Sequence, residues 1–285
     1  MSEKQTIGIL YIATGPYIAF WNRFFDTFEE YFLPDTEKHY MVFTDAHEFY
    51  QSSNERVHIK YLKSEPWPLP TLMKFHTFLE YRGELSQYDY LYQSNANIIC
   101  LQKVEEKEFL PRKELGENLM FTLHPGYYQK NHIFWPYDRN RKSLAYVPYS
   151  YGEHFVFGAM NGGTAEGYLD FISTMDKRIV EDLKQGIIAK WHDESHINHD
   201  IIGRTDYRLL PPAYCYPVGF DIPGEKIITG VEKKTVFDVD AFKGVYHEEN
   251  KGLKNRFRRV WRGLEVYVKP YLCWGRDVVF HRKPN

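Results

Sequence analysis

From Thr6 to Cys100 the chain alternates β-forming runs with amphipathic ones, and that alternation leaves few folds open. Thr6-Ile7-Gly8-Ile9-Leu10-Tyr11-Ile12-Ala13 reads as a strand that stops at Thr14-Gly15-Pro16, and Trp21 to Phe32 then repeats its apolar residues at helical spacing. His39 to Asp45 and Val57 to Leu62 supply two more strands, the second followed by the Pro66-Trp67-Pro68 break. Leu72 to Leu85 has a helical pattern, and Tyr88 to Cys100 reads as strand, turn and strand. Strands that alternate with helices predict an α/β sheet with its ligands at the carboxyl ends of the strands.

Composition then removes whole classes of function. With 285 residues, 43% of them hydrophobic and 26% charged, the chain is long and apolar enough for one large folded domain and is not a disordered protein. Lys+Arg of 36 against Asp+Glu of 38 gives a net charge of -2, so no overall basic excess points to nucleic acid. The N-terminal apolar run lacks a basic leader, and no stretch reaches the roughly twenty apolar residues that span a bilayer. Cys100, Cys215 and Cys273 are far apart, which suits reduced thiols, and a cytoplasmic protein is expected. Aromatics make up 17%, more than a core requires, and hint at flat sugar-binding platforms.

The character changes after about Gly244. Lys251, Lys254, Arg256, Arg258, Arg259, Arg262, Lys269, Arg276, Arg282 and Lys283 interleave there with Leu253, Phe257, Trp261, Leu264 and Tyr267. The predicted division is a catalytic domain over 1–243 and a basic, aromatic tail over 244–285. Such a segment either makes peripheral contact with an anionic membrane, on its inner face, or is an ordinary helix whose apolar stripe packs on the domain.

The densest polar cluster is Trp191-His192-Asp193-Glu194-Ser195-His196-Ile197-Asn198-His199-Asp200. His192 and His196 stand at i and i+4, which on a helix places both imidazoles on one face, as in zinc hydrolases. The acid falls at the third position, as Glu194, where a helix points it away from that face. A second reading of the cluster is a solvated helix start capped by Asp193 or Ser195.

The string from Trp191 to Asn198 does not stand alone. With Thr122-Leu123-His124-Pro125-Gly126-Tyr127 upstream, Gly162-Gly163-Thr164 between and Leu210-Pro211-Pro212-Ala213-Tyr214 downstream, it resembles the glycosyltransferase family 6 pattern, in order from about Ile7 to Tyr214. The resemblance implies a GT-A fold, a single Rossmann-like nucleotide-sugar domain with a mixed sheet. It also implies a UDP-sugar donor and retaining transfer of galactose or N-acetylgalactosamine to the 3-hydroxyl of a galactoside or fucosylgalactoside.

Site residues follow from the same resemblance. Glu194 would be the nucleophile or the electrostatic support of the transition state. Ile12, Ala13 and Tyr17 match the segment that holds uracil, with Tyr17 stacking on it. Asn95 and Asn97 fall where the animal enzymes carry a DxD motif for Mn²⁺, whereas bacterial members resemble this chain in having NxN. Hard divalent ions want anionic oxygens, so no tightly held metal is expected and no cofactor is needed beyond the donor. Lys233, in Gly230-Val231-Glu232-Lys233-Lys234-Thr235, is the candidate to neutralise the leaving UDP. Leu72 stands where the animal enzymes usually have arginine, with Lys74 nearby, so that arginine's donor contact does not carry over.

Phe157, Gly158 and Ala159 match positions beside carbon 2 of the donor sugar, where alanine goes with galactose and glycine with N-acetylgalactosamine. Asp193, Trp191 and His192 would shape the pocket, with His124 and Trp135 on the acceptor side. Two readings compete with this one. A zinc hydrolase would use His192, His196 and His199, and a non-catalytic glycan-binding protein would hold sugar without releasing UDP.

Overall fold

The computed structural model describes residues 4–242, 266 and 268–285. Seven strands form one mixed sheet: β1 (Thr6–Ile12), β2 (Glu37–Thr44), β3 (Val57–Tyr61), β4 (Tyr90–Ser94), β6 (Leu119–Leu123), β7 (Val156–Thr164) and β8 (Tyr207–Leu210). β5 (Ile98–Cys100) pairs with β9 (Ile228–Gly230) in a separate two-stranded sheet. The order in the large sheet is β3-β2-β1-β4-β7-β6-β8. β1 pairs in parallel with β2 and β4, while β7 runs antiparallel between β4 and β6. This is the mixed α/β architecture expected of a GT-A fold.

Alternation along β1 explains why both faces are covered. Ile7, Ile9 and Tyr11 enter one core cluster, with α1 (Trp21–Tyr31), while Leu10 enters another on the opposite face. That second face packs against α2 (Lys74–Leu79) and α3 (Ala165–Lys184), through Phe75, Phe78, Leu169 and Ile172. The site helix α4 (Asp193–Asp200) packs against α3 and β7.

Two expectations are corrected here. The predicted helix from Leu72 to Leu85 is three short pieces, broken at Met73 (φ -97°, ψ 11°) and at Tyr81. Leu72 and Lys74 are both buried, and in a continuous helix they would point about 200° apart, so one core could not take both. The aromatic excess is spent mostly inside: Tyr11, Trp21, Phe24, Phe28, Tyr40 and Tyr92 are all fully buried. Trp21 meets Tyr11 at 5.0 Å and Tyr40 at 5.6 Å edge to face, so these rings form a core and not a sugar platform.

The basic run from Lys251 to Arg262 lies outside the described residues. What is described of the tail, chiefly α5 (Lys269–Val279), docks on the domain: Tyr149 N–H donates to buried Asp277 Oδ2 at 2.9 Å, and the ring of Tyr271 meets Phe134 at 5.4 Å. Among the described residues no helix is long and apolar enough to cross a membrane.

β7 sits so close to its neighbours that its glycines are obligatory. A Cβ on Gly162 would lie 2.3 Å from the Leu91 carbonyl oxygen and 2.7 Å from Met120 Cε. Gly162→Ala is expected to lower stability by about 3 kcal/mol or more, read as a fall in the urea midpoint. Gly83→Ala, whose Cβ meets nothing within 4 Å, should stay within about 1 kcal/mol of the wild type. Equal midpoints for the two variants would mean that β7 has slack these distances deny.

Candidate active site

β1 and β4 are parallel neighbours, and the chain leaves them toward opposite halves of the sheet, which opens a crevice at their carboxyl ends. A cavity of about 390 Å³ occupies it, and Ile12, Tyr17, Asn95, Asn97 and Lys233 line it. Five residues assigned to the donor thus come together, from β1 and the turn after it, from just past β4 and from the segment after β9. Ala13 is buried behind them and gives its carbonyl to Thr44 Oγ1 at 2.7 Å. Tyr17 is held edge-on by Phe237 and Phe242, and Lys233 Nζ lies 5.3 Å from its ring centroid.

At the back of the cavity a buried network connects it to α4. Lys74 Nζ lies 2.6 Å from Asp193 Oδ2 and donates to the Gly158 carbonyl at 2.8 Å and to Gln93 Oε1 at 3.1 Å. Asn161 Nδ2 donates to the same Gln93 oxygen, and its own Oδ1 accepts from Tyr168 at 2.6 Å. Each of these groups is buried and paired, as polar groups removed from water must be.

Glu194, next along α4, is half-buried beside this network and outside the cavity lining. Its Oε2 accepts the Gly158 N–H at 2.8 Å. A Cβ on Gly158 would come within 2.8 Å of Glu194 Cβ, so this strand position must be glycine for helix and strand to meet. Loss of solvent pushes the Glu194 carboxyl up to about 8; the Gly158 N–H opposes that shift, the Asp193 charge adds to it, and Lys74 opposes it. Position, a backbone donor and a raised pKa make this the chemically distinctive carboxyl of the site.

The remaining predicted residues divide. His124 stands near Phe157, rings 4.9 Å apart, and its Nδ1 accepts the Gly126 N–H, which leaves the ring proton on Nε2. Burial lowers its pKa to about 4, so it is neutral at ordinary pH. Trp191 is exposed, and His192 meets Trp67 of the cavity lining at 5.0 Å edge to face. Trp135 is not on an open surface: it packs with Tyr137, Val147 and Phe155, and its indole N–H donates to the Tyr127 carbonyl at 3.0 Å. Ala159 is buried against the core, and its carbonyl accepts from Asn95 N–H at 3.1 Å.

The zinc arrangement does not form. His192 precedes α4 with φ +54°, so the i, i+4 relation to His196 is broken. His196 is buried with its Nε2 3.7 Å from Asp182, and His199 faces Arg178 and the Asn285 carbonyl. No three potential ligands of the His, Cys, Asp or Glu type converge among the described residues. Nor does the end of β4 suit a hard divalent ion. Asn95 and Asn97 are neutral, Asn97 Nδ2 is engaged by the Val231 carbonyl at 2.9 Å, and the same cavity is lined by two lysines against one carboxylate, Glu65.

Sequence reasoning missed the central role of Lys74, whose partners lie on β4, β7 and α4 and leave no local pattern. It also missed Trp67, which only the proline-flanked break marked.

Comparison with known proteins agrees with this geometry. Residues 1–228 match the model of Glycosyltransferase family 6. The chain is 32% identical over 195 residues to the O-antigen biosynthesis glycosyltransferase WbnI of Escherichia coli, covering 68% of this chain and 81% of that protein. It is 28% identical over 219 residues to the human Globoside alpha-1,3-N-acetylgalactosaminyltransferase 1, and 27% identical over 222 residues to the rat Histo-blood group ABO system transferase 2. Those alignments cover 74% and 75% of this chain but 61% and 64% of the relatives, less than two thirds of the vertebrate proteins.

Glu194 makes stability depend on pH in a defined direction. The folded protein holds its proton up to about pH 8, whereas an ordinary glutamate releases it near 4.5, so its stabilising contribution is complete below about 4.5 and is lost as pH rises toward 8. Urea midpoints of the wild type should therefore fall relative to those of Glu194→Gln across that interval. Parallel curves for the two proteins would mean that the carboxyl titrates normally.

Proposed function

Because the chain belongs to glycosyltransferase family 6, we propose that it is a metal-independent, retaining transferase that moves galactose from UDP-galactose to the 3-hydroxyl of a galactoside-terminated glycan. The observation that carries this reading is Glu194, a half-buried carboxyl with a raised pKa, fixed to the Gly158 N–H beside a crevice shaped for a nucleotide. In the reaction, the bond from the anomeric carbon to the diphosphate breaks and its electron pair leaves with UDP. A new bond forms on the same face from the acceptor oxygen, whose proton passes to the departing diphosphate or to solvent. Ionised Glu194 supplies negative charge, or a lone pair, to the anomeric carbon as positive charge develops there.

The other roles follow from chemistry and position. Tyr17 offers its ring to the pyrimidine, and Lys233 beside it offers charge to the diphosphate in the place of a metal. Asn95 and Asn97 add dipoles at the end of β4. His124, neutral with its proton on Nε2, is suited to hydrogen-bond an acceptor hydroxyl, and exposed Trp191 offers a flat surface to a sugar. Trp135 acts from behind, holding Tyr127 through its indole N–H. Ala159 is packed in the core behind the cavity lining. Its match to the position that goes with galactose is what supports galactose as donor sugar, since one extra methyl near an acetamide costs about 1–3 kcal/mol in a close-packed site.

UDP release, measured with UDP-galactose and with UDP-N-acetylgalactosamine on a panel of galactosides, tests each part. Turnover should persist in EDTA and favour UDP-galactose, and Ala159→Gly should move the kcat/KM ratio toward the acetamido sugar. Glu194→Gln should lose about 10²-fold or more in kcat while still binding UDP. Wild-type kcat/KM should rise with pH toward about 8 as Glu194 ionises. Wild-type rates in Glu194→Gln would remove Glu194 from the mechanism, and loss of activity in EDTA restored by Mn²⁺ would remove metal independence.

A further inference from the structure

α5 is amphipathic the wrong way round for a helix on a water-facing surface. At about 100° per residue, Trp274, Val278, Tyr271, Val279 and Leu272 share an arc of about 160°, and Gly275 lies within it. All five large side chains are exposed, Leu272 at 71% and Val279 at 69%. The opposite side, with Pro270 and Asp277 buried, meets the domain, and Tyr271 within the arc also touches it through the ring of Phe134. One edge of the apolar arc is cationic, carrying Arg276 and Lys269.

That edge borders a second cavity, of about 260 Å³, between α5 and the segment 139–149. Arg139, Arg141, Lys269 and Arg276 line it against a single carboxylate, Asp277, together with Tyr146, Tyr149 and Cys273. Asp277 is already engaged by Arg276, by Arg282 and by the Tyr149 N–H. Among the described residues Arg139, Arg141 and Lys269 make no ion pair. Arg139 donates to the Val147 and Trp135 carbonyls and stacks 3.9 Å over the Tyr149 ring, so its charge is held in place without a counter-ion.

We propose that this surface docks on a membrane of anionic phospholipid, with the apolar arc of α5 in the interface and a headgroup phosphate in the cavity between α5 and the segment 139–149. An apolar face alone would fit many partners, but a cationic cavity at its rim selects a surface that is apolar and phosphate-bearing together. The sequence leading into α5 has the same character, with Lys251, Lys254, Arg256, Arg258, Arg259 and Arg262 and few acids. The cavity adjoins the acceptor side: Asp138, beside Arg139, accepts the Lys190 N–H at 2.8 Å, and Trp191 follows Lys190. The docked enzyme would therefore present that side of its cleft along the membrane.

Sedimentation of the full chain with vesicles of phosphatidylcholine alone, and with about one third phosphatidylglycerol, tests this. The wild type should bind the anionic vesicles, more weakly as salt rises, and leave the neutral ones in solution. The double variants Arg141→Glu/Lys269→Glu and Leu272→Ser/Val279→Ser should each bind at least about tenfold more weakly while keeping wild-type UDP release on a soluble acceptor. Equal binding to both vesicles, or to neither, would overturn the proposal. So would unchanged binding in Arg141→Glu/Lys269→Glu, which would assign the membrane contact to the cations before α5. A dimer in ultracentrifugation that Leu272→Ser/Val279→Ser dissociates, without vesicle binding, would give the face to a second copy of the chain. Thermal stabilisation by inorganic phosphate that is lost in Arg141→Glu/Lys269→Glu, again without vesicle binding, would make the cavity a free-anion site.

Discussion

Everything at the site hangs on one buried ammonium. Lys74 Nζ is bonded at once to a carboxylate on α4, a carbonyl on β7 and a side chain on β4. Removing a lysine of this kind would leave Asp193 charged and dry, a defect that typically costs 3–5 kcal/mol, or about that much, in buried pairs. Its neighbours are therefore not free to drift: the N-terminus of α4, and Glu194 with it, is set by a bond that originates beside the nucleotide crevice. The Gly158 junction completes the placement, because its carbonyl accepts from Lys74 while its N–H donates to Glu194. One peptide position thus fixes the two consecutive acids of α4, the first through Lys74 and the second directly.

The two acids have different surroundings. Asp193 has a cation at 2.6 Å, while Glu194 has only a neutral backbone donor and feels Lys74 at a distance. Solvent loss then dominates at Glu194, and its proton is held more tightly than that of an ordinary glutamate. In the proposed reaction this is useful, since a carboxylate that is poorly solvated is one that a nearby developing cation can stabilise strongly. A divalent ion in the same crevice would find one carboxylate, Glu65, among two carboxamides and the cations Lys233 and Asp193-paired Lys74, a poor donor set, whereas Lys233 suits a diphosphate.

Local pattern made the first half of the fold legible, because β1, α1, β2 and β3 follow one another in sequence and in space. It did not show that β7 enters antiparallel between β4 and β6, since strand pairing between distant segments leaves no trace in either one. The same limit applies at the site. The residues of the Trp191 to Asp200 cluster were visible as a dense polar run, and the family pattern singled out Glu194 among them. The histidine spacing misled because it assumed that His192 is helical, and a residue at φ +54° is not. Trp135 misled for a related reason: an aromatic in an acceptor loop and one in a small core look alike until its N–H is found on the Tyr127 carbonyl.

Composition marks a change near Gly244, yet the contacts run across it. Buried Asp277 takes the Tyr149 N–H, and the Asn285 carbonyl stands 2.6 Å from His199 Nε2 on α4, the helix that carries Glu194. Asn285 Nδ2 also donates to the carbonyls of Arg141 and Ser143, in the segment that walls the cationic cavity. Residues at the end of the chain therefore bridge the proposed membrane contact and the site helix. Cutting the tail away would break these bonds along with any lipid contact, and its loss of function would not distinguish the two. Substitutions on the outward face of α5 leave every one of them in place, which is why that face, and not the whole segment, is the informative place to change the protein.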